Sequence, residues 1–212
     1  MMLSRRSTLT LASGIAAASL PARHGLLVST ASAQTANGEA DHESERSIGN
    51  QNAKVTVLEF FSLTCTHCAS FARETMPELE KNLIQPGKAR LVYRDFPLDQ
   101  VALTAAMVAR YLPPAQYSPF VTALLATQER WAFARGVNST EELWKMAALA
   151  GMSRETFDKA ISDNALRTWI LKQQQADQDQ WKIDSTPSFV INGQKYSGEM
   201  SYDAFRKLLP EA

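Results

Sequence analysis

The chain has 212 residues, 45% of them hydrophobic and 21% charged, with 22 basic and 22 acidic side chains and only two cysteines. This is enough apolar material for one sizeable core, alone or with an inserted subdomain. The charge is balanced and no Lys/Arg stripe is present, which excludes a nucleic-acid binder.

Residues 1–33 differ in composition from the rest. "SRRSTLTLASGIAAASL" sets Arg5 and Arg6 before a weakly apolar stretch, and "ASA" at residues 31–33 supplies the small residues a signal peptidase needs. The stretch is too short and too interrupted to span about 30 Å of hydrocarbon, so it reads as a removable signal peptide. Its paired arginines fit the twin-arginine type, the alternative being a Sec signal with an ordinary positive n-region. Cleavage removes Arg5, Arg6 and Arg23 and no acid, leaving a net charge of −3. The polar residues 34–53 then read as a flexible arm.

"KVTVLEFFS", residues 54–62, is rich in β-branched and aromatic residues and predicts a central strand. "THCASFARETMPELEKNLI" carries apolar residues at helical spacing, and "GKARLVYRDFP" returns to a strand. Residues 54–97 are therefore a βαβ unit. Residues 98–182 predict an inserted helical subdomain of four or five helices, with Ser139 and Glu142 forming a capping box, Gly151 closing that helix and Ser153 capping the next. Trp131, Trp144, Trp169, Met107, Met146 and Met152 read mainly as its core, with a peptide groove as the other use. In residues 183–212 a hairpin turns at Asn192-Gly193 and Ser201 caps a final amphipathic helix, giving ββα. The fold class is α/β.

The two cysteines, Cys65 and Cys68, stand at the first strand-to-helix junction. There the unpaired N–H groups and the positive end of the helix dipole stabilise a Cys65 thiolate, and Cys68 lies one turn further on, in reach for a reversible disulfide. Zinc needs four ligands, and the chain after residue 33 adds only His67 and His42. Haem attachment needs His after the second cysteine, where Ala69 stands. A purely structural disulfide would close a loop too short to stabilise much. No metal or other cofactor is expected.

"VLEFFSLTCTHCASF", "TPSFVINGQKYSG" and the helical block between them resemble the DsbA-like thioredoxin-fold oxidoreductases of the bacterial periplasm, over residues 54–209. The resemblance implies a thioredoxin fold with an inserted helical subdomain, in the monomeric branch, since residues 34–53 are too short for a dimerisation domain. It implies a periplasmic enzyme that donates the Cys65-Cys68 disulfide to reduced, unfolded exported proteins, reoxidised by a DsbB-like membrane thiol oxidase. Cys65 is then the exchanging sulfur and Cys68 its buried partner. His67 would donate a hydrogen bond or a positive charge to the Cys65 thiolate, favouring the reduced form and so a stronger oxidant. Thr66 replaces a Pro frequent in related oxidases, which bears on oxidant strength.

Glu59 is an acid in an otherwise apolar strand, and burial should raise its pKa; in the family an acid here relays the proton of the buried cysteine. Thr186 and Pro187 resemble the cis-proline loop of thioredoxin folds, whose backbone pairs with an extended substrate. A reductase or isomerase of the same fold is the first alternative. A chaperone-like peptide-binding module with a structural disulfide is the second.

Overall fold

The computed structural model describes residues 41–209, so the signal-peptide reading of residues 1–33 lies outside the described residues. Strand β2 (Val55–Phe61) forms where β-branched and aromatic residues follow one another, and most of its residues are buried. It pairs in parallel with β3 (Ala89–Asp95), from Val55 opposite Ala89 to Phe61 opposite Asp95. The crossover between them is α1 (Thr66–Glu74), then α2 (Met76–Leu79) and a π-helical turn to Ile84.

β4 (Ser188–Ile191) runs antiparallel to β2, and β5 (Gln194–Ser197) antiparallel to β4, joined by Asn192 and Gly193, both at positive φ as their turn requires. A fourth pairing corrects the expected arm. Residues 46–49 are not flexible: β1 (Arg46–Gly49) pairs antiparallel with β3, so the sheet order among the described residues is β1-β3-β2-β4-β5. The segment is short and polar, and its ordering comes from distant partners. Arg46 is buried with its guanidinium 5.7 Å from the Tyr117 ring and donating to the Arg110 carbonyl at 3.0 Å. Gly49, at φ +97°, ends the strand where a Cβ would stand 2.9 Å from both the Ala89 carbonyl and Ile84, so only glycine fits.

Between β3 and β4 the described chain forms α3 (Gln100–Arg110), α4 (Pro114–Ala126), α5 (Gln128–Trp131), α6 (Ser139–Leu149), α7 (Arg154–Ser162) and α8 (Asn164–Trp181). That is six helices against the four or five expected, because Thr127 breaks one apolar run into α4 and the single turn α5. The capping box also moves: Asn138 caps α6, its Oδ1 accepting from the N–H groups of Thr140 and Glu141. Ser153 caps α7, and Ser201 caps α9 (Tyr202–Arg206), as expected.

Phe71 of α1, Phe189 of β4 and Phe205 of α9 meet at centroid distances of 4.7, 5.2 and 6.0 Å and fill the space between the sheet and these helices. In the helical segment Met107 and Trp131 are fully buried, whereas Trp144 and Trp169 are half-buried. The join between sheet and helices is polar. Asp95, the last residue of β3, accepts from Arg110 Nε of α3 at 2.5 Å and from the Tyr117 hydroxyl of α4 at 2.8 Å, all three buried. Trp169 of α8 lies 4.5 Å over the Arg110 guanidinium. Among the described residues no helix is long and apolar enough to cross a membrane.

Candidate active site

Cys65 is the N-cap of α1, in the place where Ser or Asp usually stands, and its sulfur accepts from the Cys68 N–H at 3.3 Å. Both cysteines are free thiols. As a neutral thiol Cys65 donates to the Thr186 carbonyl at 3.2 Å, across a Thr186-Pro187 peptide that is cis, as expected. The Thr186 hydroxyl is buried, and its side chain also contributes to lowering the Cys65 pKa. The hydrogen bond from the Cys68 side chain, together with the backbone N–H groups of Cys68 and His67, outweighs burial and brings the Cys65 thiol down to about 6. Thiolate absorbance followed against pH should therefore show one midpoint near 6, and a midpoint at or above about 8, close to that of a free cysteine, would refute this geometry.

Cys68 is fully buried, and burial, then its hydrogen bond with Cys65 and the Cys65 and Glu59 charges, push its pKa up. One helix turn thus carries two sulfurs of opposite character. Glu59 is 2% exposed and burial raises it to about 8. It lies between Tyr93 and Phe189 in the sheet register, on the face covered by α1, and its Oε2 has no partner among the described residues.

His67 departs from the expectation. Its ring is 70% exposed, with Nδ1 3.4 Å from Glu199 Oε1, and what faces the Cys65 sulfur is its backbone N–H. The ring is thus paired with Glu199 at the surface, and it is the N–H, which points along the helix axis toward the cap, that serves the sulfur. Thr66, at the first helical position, is exposed; a Pro there would cost no hydrogen bond.

Two residues were missed by sequence reasoning. Gln128 of α5, buried, donates both amide hydrogens of Nε2 to the Leu63 and Cys65 carbonyls, each at 2.9 Å. Asp99 caps α3 through the Ala102 N–H at 2.8 Å and accepts from the Thr64 hydroxyl at 2.7 Å. In "ALLATQERW" a glutamine reads as surface, and it stands only three residues after the buried pair Leu124 and Leu125.

A family model described as thioredoxin matches residues 41–211. The chain is 28% identical over 166 residues, 78% of its length, to a candidate protein-disulfide oxidoreductase of Rickettsia felis, and spans 59% of that protein's length. It is similar to the crystal structure of α-DsbA1 from Wolbachia pipientis, with a TM-score of 0.72 and 26% identity, covering 78% of this chain and 88% of that one. It is similar too to a protein-disulfide isomerase from Novosphingobium aromaticivorans, with a TM-score of 0.68 and 26% identity, covering 77% and 94%.

Proposed function

This chain belongs to the thioredoxin family, and we propose that within it the protein is a periplasmic thiol:disulfide oxidase that donates its Cys65-Cys68 disulfide to reduced, unfolded exported proteins. The observation that carries this reading is the pair of unlike sulfurs on α1: Cys65 at the helix cap, accepting backbone N–H groups that lower its pKa, and Cys68 fully buried one turn on, where burial raises its own. A substrate thiolate attacks Cys65 of the disulfide. The new bond joins substrate to Cys65, and Cys68 leaves as a buried thiolate that takes a proton. A second substrate thiolate then attacks the substrate sulfur, and Cys65 leaves as the stabilised thiolate. The substrate has lost two electrons and the protein has gained them.

A DsbB-like membrane oxidase reverses the change: Cys65 attacks its disulfide, and Cys68, deprotonated, displaces it. Glu59 gives and takes the Cys68 proton in the two directions, and Thr186 and Pro187 align the substrate backbone by strand addition. The protein acts as a monomer, exported by residues 1–33. With reduced protein and a peptide disulfide as substrate, Glu59→Gln should slow resolution of the mixed disulfide about tenfold or more while initial attack changes less than about twofold; equal slowing would leave Glu59 a structural acid.

Comparing thermal unfolding of the oxidised and reduced protein tests the oxidase reading. The folded pKa of Cys65 lies below its unfolded value of about 8.5, so the reduced form gains stability that is full above that pH and lost as pH falls through about 6. The reduced protein should melt higher at pH 7, by a few degrees at about 2–4 °C per kcal/mol, with the gap narrowing toward pH 6. A reduced form that melts lower means a structural disulfide. Near-equal melting favours a reductase or isomerase, the reading that Thr66 in place of Pro supports.

A further inference from the structure

The relay at Glu59 leaves a question of exit. Once a partner chain is joined to Cys65 and laid against Thr186, the front of the site is covered, and Glu59 is itself 2% exposed. A proton taken from Cys68 in that state needs a path through the back of the site.

Such a path is laid out beside it. Glu59 of β2 is the parallel register partner of Tyr93 of β3, so the two side chains stand next to each other on the same face of the sheet. Tyr93 is buried, with its ring held edge-on against Phe61 at 5.7 Å and tilted against Tyr117 at 5.6 Å. Its hydroxyl leaves this apolar packing at one point, to the Ser118 Oγ of α4 at 2.8 Å. Ser118 is half-buried and lines a groove of about 930 Å³ whose walls include Ser47, Ile84, Pro114 and Glu80. The hydroxyl of a buried tyrosine that neighbours a carboxyl in the sheet and bonds a serine at the edge of a groove is not needed for packing, since phenylalanine would fill the same space.

We propose that Tyr93 and Ser118 carry the proton of Glu59 to solvent in this groove, which opens at the β1 edge of the sheet, whereas Thr186 leads into β4 on the other side of β2. The proposal rests on the relay role given to Glu59 above. The Glu59 carboxyl passes its proton to the Tyr93 oxygen, directly or through one water, as the phenol hydrogen moves to Ser118 Oγ and the serine hydrogen moves to water in the groove. Rotation of the two hydroxyls restores the start. Tyr93 and Ser118 end as neutral as they began, the proton is in the solvent of the groove, and Glu59 is left as the carboxylate that can accept again. Burial and the nearby charges of Glu59 and Glu80 push the Tyr93 phenol further from ionising, so it conducts as a neutral hydroxyl that accepts and donates together.

The test uses the reduced full chain and oxidised glutathione, with formation and resolution of the mixed disulfide timed separately by acid quench. Tyr93→Phe keeps the ring packing and should slow resolution about fivefold or more, with formation within about twofold. Ser118→Ala should shift the same step in the same direction, and this variant at a half-buried helix position decides the matter should Tyr93→Phe fail to fold. Because the groups act in series, Tyr93→Phe combined with Glu59→Gln should resolve no more slowly than Glu59→Gln alone. Wild-type resolution in Tyr93→Phe and Ser118→Ala beside slow resolution in Glu59→Gln would overturn the exit and leave the relay standing. Wild-type resolution in Glu59→Gln would overturn the relay and the exit with it. Slowing of both steps alike, or additive slowing in the double variant, would mean that Tyr93 acts only through the packing of the site.

Discussion

Cys65→Ser should abolish disulfide transfer, by on the order of a thousandfold or more, as removal of an attacking group does in covalent catalysis. The hydroxyl at that cap would receive the same N–H groups of α1, but it cannot ionise near neutral pH and cannot be the centre of a sulfur exchange. Cys68→Ser should behave differently. Cys65 keeps its backbone hydrogen bonds and still attacks a disulfide, but the buried group that displaces the partner is gone, so the mixed disulfide accumulates and can be trapped on a non-reducing gel. The contrast separates this enzyme reading from a chaperone-like module, in which the cysteines serve only as a brace and both variants would retain peptide binding and lose stability together. Measurable transfer by Cys65→Ser, even at a tenth of the wild-type rate, would sink the reading.

Arg110→Ala should destabilise the fold by about 3–5 kcal/mol, the loss expected when one member of a buried ion pair is removed and the other stays. Asp95 would be left buried with the Tyr117 hydroxyl as its remaining side-chain partner, and the carbonyls of His42 and Ser44 would lose their Arg110 donor. At about 2–4 °C per kcal/mol the melting temperature should fall by about 10 °C. The double variant Asp95→Leu with Arg110→Met, which removes both charges, should recover most of that loss because no unpaired ion remains. Urea unfolding of the two variants checks this. A loss below about 1 kcal/mol in Arg110→Ala would mean that solvent reaches Asp95 and that the join between β3 and the helices is weaker than its geometry.

The contrast between these two sites follows how far each is written along the chain. Cys65 and Cys68 are three residues apart at a strand-to-helix junction, so the helix turn alone brings them together and the helix terminus alone polarises the first. The Asn192-Gly193 hairpin, the Ser153 and Ser201 caps and the apolar run around Glu59 are equally local, and each is legible in a window of about ten residues.

What tertiary structure decided depends on partners that no window contains. β1 reads as a polar arm because its strand character comes from pairing with β3 and from an arginine buried against Tyr117 and the Arg110 carbonyl. Gln128 meets the Cys65 carbonyl only because α5 folds back over the loop before α1, across 63 residues of chain. His67 shows the same limit inside the motif itself: its spacing from Cys65 is plain, yet its exposed ring pairs with Glu199, far along the sequence. Short-range spacing thus determined the chemistry of this protein, while the pairing of distant segments, each closed at an entropic cost that sequence patterns do not reveal, decided what surrounds it.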